Sequence, residues 1–256
     1  MTTRLAVVVT ALALSGRAVL TQAPQESQHA PDGAPRGMIT SILVPPIPNA
    51  PFSATVETEW TRYLDNGRRQ VLTNRRLIAR DGLGRVFQER RSFVPPGSPI
   101  QSQVWRTELA EASTQTVAYC DTRSHVCELR SYRGETAAAA QTWSSAAPAA
   151  KTAGPLVREE LGFRSVNGLD LVGTRESQPL GLTATGSDRP LAVVKEFWFS
   201  KQLGLNVITR RDDPRSGIEA FTVTDIQRSE PDRGLFTLPA NFRVVDLRAS
   251  PGPPVR

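Results

Sequence analysis

From Phe52 to Leu64 the chain alternates in character. Phe52, Ala54, Val56, Trp60 and Leu64 fall on one parity, and Ser53, Thr55, Glu57, Glu59 and Thr61 on the other. A period of two with one apolar side belongs to a strand that lays one face on a core. Asp65-Asn66-Gly67 follows, and Asn-Gly is the signature of a type I′ hairpin turn because both residues tolerate positive φ. Arg68–Arg80 is then the return strand. A hairpin alone cannot bury its apolar face, so more strands have to follow.

They do. Leu191–Ser200 and Leu203–Arg211 are dense in β-branched and aromatic residues, which suit a pleated, half-buried surface. Lys201 and Gln202 lie between them and Gly204 relieves the turn, so the pair reads as a hairpin around which the C-terminal half gathers. Asp81-Gly82-Leu83-Gly84 turns into Arg85–Phe93, which Pro95-Pro96-Gly97 ends. Val104–Leu109, Thr116–Cys120 and Cys127–Tyr132 continue the pattern, and Asn167-Gly168 joins Leu156–Val166 to Leu169–Glu176. Ile218–Ile226 is another strand, Leu235-Phe236 fits a single helical turn, and Leu238–Val245 closes the domain. About ten to twelve short strands joined by tight turns predict a mainly β protein, an antiparallel meander with little helix. Strands alternating with helices are missing from the pattern, which argues against a parallel α/β sheet.

The ends have a different composition. Met1–Arg4 is a short basic start, and Leu5–Leu14 is an apolar run of signal-peptide length, with Thr21-Gln22-Ala23 the nearest cleavage motif. Residues 1–23 therefore read as a signal peptide and 24–50 as a Pro-rich, disordered lead-in. The globular domain is 51–247, with an Ala-rich insertion at 134–154 that reads either as a frayed helix or as disorder, and 248–256 is a loose tail. The predicted location is the periplasm or the exterior, with no transmembrane segment beyond the signal.

Cys120-Asp-Thr-Arg-Ser-His-Val-Cys127 brackets a turn. Pairing Asp121 with Val126 sets the two cysteines directly opposite, at a separation a disulfide spans, and an exported chain oxidises such a pair.

The formal charge is +6, and removing 1–23 takes away Arg4 and Arg17 and no acid, leaving +4. Between Arg62 and Arg91 nine arginines stand against Asp65, Asp81 and Glu89. Arg68, Arg69, Arg75, Arg76, Arg80, Arg90 and Arg91 form the candidate basic face, read either as a solvated sheet surface or as a surface for a polyanionic or protein partner. Few aromatics interleave with them, and export argues against nucleic acid.

Familiar chemistry is hard to assemble. The two histidines are His29, in the lead-in, and His125, in a turn. G-x-S-x-G and the phosphate-cradling G-x-x-x-x-G-K-[ST] do not occur, and no cofactor or metal is implied. Glu159-Glu160 would point to opposite faces of a strand, and Asp212-Asp213 precedes Pro214 in a turn. An enzyme would have to gather carboxylates from distant strands.

One resemblance adds to this reading. Glu196-Phe-Trp-Phe-Ser200, then Leu203-Gly204-Leu205, Asp213-Pro214, and the closing Leu235-Phe-Thr-Leu-Pro-Ala-Asn-Phe242 are similar to segments of the LolA-like and RseB-like lipoprotein-carrier superfamily. The similarity spans 156–245 and is nearer still to uncharacterised exported β-proteins sharing Gly173-Thr-Arg-Glu176 and Asp188-Arg-Pro190. It implies a strongly curved half-barrel whose concave apolar face holds an acyl chain or peptide, with no functional residue to transfer. The function expected is therefore a non-catalytic exported binding protein for a lipid, lipopeptide or envelope protein. An interaction module using the basic face, and a hydrolase using scattered carboxylates, are the alternatives. Phe197, Trp198, Phe199 and Trp60 are the candidate groove residues, each read also as plain core.

Overall fold

The computed structural model describes residues 42–64, 66–131, 154–181 and 190–248. The proposed signal peptide, most of the lead-in, nearly all of the Ala-rich insertion and nearly all of the tail lie outside the described residues. Among the described residues twelve strands form one open, curved sheet, a half-barrel. They are β1 (Phe52–Tyr63), β2 (Arg69–Arg80), β3 (Val86–Arg91), β4 (Val104–Glu111), β5 (Thr116–Asp121) and β6 (Val126–Ser131). After them come β7 (Val157–Val166), β8 (Leu169–Leu180), β9 (Leu191–Ser200), β10 (Leu205–Asp213), β11 (Gly217–Gln227) and β12 (Arg243–Asp246).

The spatial order is β12-β6-β5-β4-β3-β2-β1-β11-β10-β9-β8-β7. Two meanders, β1–β6 and β7–β11, are thus zipped together where β1 pairs antiparallel with β11. The last strand departs from the expected pattern, because β12 pairs parallel with β6 at the far edge. To reach it the chain crosses one face of the first meander. On the way a 3₁₀ turn, Arg233–Phe236, packs Phe236 against Ala79 and Phe87, the odd-numbered side of β2 and β3. Asp232 caps that turn by accepting from the Gly234 N–H at 2.9 Å.

The opposite, inner face carries the main core. Phe52, Ala54 and Val56 of β1 lie on it beside Ile78, Val223 and Val207. Here the lead-in reading needs correction. Ile42 and Val44 are buried in this same cluster, so the strap 42–50 is a built part of the domain. Prolines 45, 46 and 48 deny the strap a place in a ladder but leave its side chains free to pack. Burying Ile42 and Val44 stabilises the docked strap by about 1.5–3 kcal/mol each.

The two Asn-Gly turns differ. Asn167 and Gly168 both take positive φ, 52° and 72°, between the paired Val166 and Leu169, as a two-residue I′ turn requires. At the first hairpin the Leu64 N–H donates to Arg68 O, and of Asn66 and Gly67 only Gly67 has positive φ. That loop is one residue longer than a I′ turn, with Gly67 as the left-handed residue. The start of β11 allows no side chain at all. Gly217 has φ 123°, and a Cβ there would stand 1.8 Å from Thr61 O.

Candidate functional site

Alternation decides what the aromatic strand β9 presents. Phe197 and Phe199 line the cleft, and Trp198, between them, points to the other side of β9, half-buried against the main hydrophobic cluster. Phe197 is buried and Phe199 half-buried. With Leu43, Phe163, Val172 and Leu205 they wall a cleft of about 460 Å³ that opens beside β7, the last strand of the sheet. Arg158, Glu160, Thr174, Lys201 and Asn206 supply its polar lining. Phe163 is 84% exposed although it stands on this wall.

The remaining groove candidates sit elsewhere. Trp198 takes the Arg164 guanidinium 3.9 Å above its ring, and its opposite neighbour Gly173 leaves it room, since a Cβ there would come within 2.7 Å of the indole. Trp60 is on the inner face but on β1, with β11 and β10 between it and β9. Its ring is edge-on to Phe93 at 5.9 Å and lies under Arg62 at 4.9 Å.

The arginines of the candidate basic face do not share a surface. Arg68 and Arg69 are exposed at the end of the first hairpin, and exposed Arg75 pairs with Asp225 at 3.0 Å and Glu57 at 3.3 Å. Arg91 is held by Glu89 at 2.8 Å. Arg76, Arg80 and Arg90 are buried on the inner face, so they cannot belong to an exposed basic patch. Arg76 donates to Gln88 Oε1, and Arg90 forms a two-pronged pair with Glu108 at 3.0 and 2.6 Å. Arg80 is a clasp. Its guanidinium donates to the carbonyls of Ala50, Pro45 and Leu203 at 2.8–2.9 Å, tying the strap to the β9–β10 turn. Burial lowers its pKa to about 10, which leaves it charged at neutral pH.

A second inner-face feature went unread in the sequence. The register sets Glu219, Arg211, Lys195, Glu176 and Arg158 side by side across five strands, β11 to β7. Arg158 donates to Glu176 Oε1 at 2.6 Å, and Arg211 to Asp213 at 2.7 Å. Burial, then the charge of Arg211, lowers the Lys195 pKa, against the pull of Glu176 and Glu219. Each residue sits at alternate positions of its strand, so parity was the available signal. The pairing of distant strands, which no local pattern encodes, was the missing one. Leu43 was hidden likewise, inside a stretch whose prolines read as disorder.

On the outer face Cys120 and Cys127 stand opposite one another and are joined, S–S 2.03 Å, within the Asp121–Val126 register read from the sequence. No helix among the described residues is long and apolar enough to cross a membrane.

No known family model and no curated protein matches the chain. Among solved structures it is similar to MucB, with 15% identity, a TM-score of 0.36, and coverage of 77% of this chain and 60% of that one. LprF from Mycobacterium bovis (9% identity, TM-score 0.31, 75% and 90% covered) is another such structure. A third is a LolA superfamily protein from Nitrosomonas europaea (9%, 0.28, 76% and 92%). At these identities and TM-scores the likeness assigns the chain neither a family nor a role.

Proposed function

We propose that this chain is an exported, non-catalytic binding protein that holds the apolar part of a lipid-like ligand in the cleft of Phe163, Phe197 and Phe199. The observation that carries the reading is Phe163. A phenylalanine 84% exposed on the wall of an apolar cleft, at the free end of a sheet, is surface that a ligand would cover. The cleft volume, about 460 Å³, falls in the range of small-molecule sites. Its lining holds one carboxylate, Glu160, and neither histidine nor cysteine, a set suited to holding a ligand rather than transforming it. The disulfide supports an oxidising compartment, the periplasm or the exterior.

Native mass spectrometry of the purified protein with added fatty acids and lipopeptides tests this. Uptake of one acyl ligand per chain is the expected result. Phe163→Ser should leave the unfolding midpoint unchanged, because the ring is exposed, and weaken uptake by about fivefold or more. Bare protein at every ligand concentration, or wild-type uptake by Phe163→Ser, overturns the proposal.

A further inference from the structure

The inner row beside the cleft contains buried polar atoms without a hydrogen-bond partner among the described residues. Glu176 is 1% exposed, and its Oε1 is taken by Arg158 while its Oε2 is buried without a hydrogen-bond partner. Thr209, also 1% exposed, has a buried hydroxyl without a partner. Lys195 lies directly across from Glu176, with Arg211 on its other side, and Thr209 is two residues from Arg211. Lys195 is half-buried, and its ammonium closes no ion pair or hydrogen bond among the described residues, although the charges of Glu176 and Glu219 act on it. A buried polar atom left unpaired costs about 1–3 kcal/mol, so Glu176 of β8 and Thr209 of β10, with Lys195 of β9 between them, call for an occupant.

The row and the cleft are continuous. Arg158 lines the cleft and is bonded to Glu176. Thr174 and Phe197, also cleft residues, are opposite one another and stand two residues from Glu176 and Lys195. Two residues of strand are about 7 Å, one step further along the same face.

We infer that this row is a headgroup site, and that Lys195, Glu176 and Thr209 receive the hydroxyls of a glycerol-like head whose acyl chain occupies the Phe197–Phe199 cleft. This rests on the cleft being a lipid site, as proposed above. The head is specified by what each group can do. The ammonium of Lys195 only donates, Glu176 Oε2 only accepts, and the Thr209 hydroxyl does both. A bare carboxylate or phosphate would satisfy Lys195 but face the Glu176 carboxylate, and an ammonium head would do the reverse. A hydroxyl accepts from Lys195 and donates to Glu176 at once. Thr209 stands one strand over from Lys195 and two residues, about 7 Å, along the same face toward the cleft, so it receives a hydroxyl further along the head rather than the adjacent one. Arg158 on Glu176 and Asp213 on Arg211 compensate two of the row's charges and leave the Lys195 ammonium as the donor the head meets.

The test is displacement of the neutral fluorescent probe N-phenyl-1-naphthylamine from the full chain by three ligands of one chain length, monooleoylglycerol, oleate and methyl oleate. Monooleoylglycerol should bind at least about tenfold more tightly than methyl oleate, the scale of one well-made buried polar contact. Lys195→Met and Thr209→Val should erase that difference and leave methyl oleate within about twofold of its wild-type affinity. The wild-type ranking decides by itself should either variant fold poorly. Oleate binding tighter than the monoglyceride makes the row an anion site and overturns the inference. Equal binding of all three means that water alone fills the row, which also overturns it while the proposed function stands. Failure of all three to displace the probe sinks both.

Discussion

Arg80→Met separates a structural clasp from a basic ligand surface. Arg80 is 0% exposed and faces three carbonyls with no carboxylate bonded to it. Methionine keeps the apolar stem out to about the Nε position and loses the guanidinium that lies 5.0 Å above the Phe52 ring. It removes every donor. Pro45 O keeps a second partner, the Ile47 N–H at 3.0 Å, so the loss falls on Ala50 O and Leu203 O. Two orphaned carbonyls at about 1–3 kcal/mol each, less the relief of no longer burying a cation, give a net loss of about 2–4 kcal/mol. Urea unfolding followed by circular dichroism should show the midpoint falling by about 1–2 M. Strap release should show in parallel as faster proteolysis between 42 and 50. Arg80→Lys should recover only part of the loss, because one ammonium cannot match three carbonyls arranged for a planar fork. A midpoint within about 0.3 M of wild type, with the strap still protected, refutes the clasp.

Three further outcomes follow from the same structure. Reducing the Cys120–Cys127 bond, or replacing both cysteines by serine, should cost about 2–3 kcal/mol; identical urea midpoints with and without reductant contradict this. Gly217→Ala should destabilise by more than about 3 kcal/mol, since its Cβ meets the Thr61 carbonyl on a rigid ladder at a φ reserved for glycine; a soluble variant with wild-type melting refutes the register at β1–β11. For Asp213, burial alone would raise the carboxyl pKa, but the hydrogen bonds from Arg215 and the charge of Arg211 outweigh it and the net shift is downward. A depressed carboxylate stabilises the fold above its unfolded pKa, near 3.9, and loses that contribution as pH falls through the lower folded value. Unfolding midpoints should therefore drop more steeply below about pH 4 in the wild type than in Asp213→Asn, and parallel pH curves contradict the assignment.

The sheet was legible because its signals are local. Alternation along Phe52–Leu64, the turn residues and the opposed cysteines all act within a dozen positions, and the structure repeats them almost residue for residue. What was illegible is set by distant pairing. Nothing near Arg243–Asp246 says that this strand runs parallel to β6, because its partner lies more than a hundred residues earlier. Arg80 and Arg75 look alike in sequence, yet parity turns one into the core and the other to solvent. The strap misleads for a related reason. Its prolines exclude ladder bonds, and only the Arg80 fork and the pocket for Ile42 and Val44 give it a fixed place. At the cleft, Phe197 and Phe199 could be named from the strand, but Leu43, Phe163 and the Lys195–Glu176 row needed the register of five strands.

Photo-crosslinking with a diazirine-bearing fatty acid, followed by peptide mapping of the full chain, tests the central claim most directly. The account predicts adducts concentrated on peptides containing Phe163, Val172 and Phe197–Asn206, competed away by unlabelled ligand. Adducts scattered over the outer face around Cys120 and Phe236, or none that competitor removes, would contradict it.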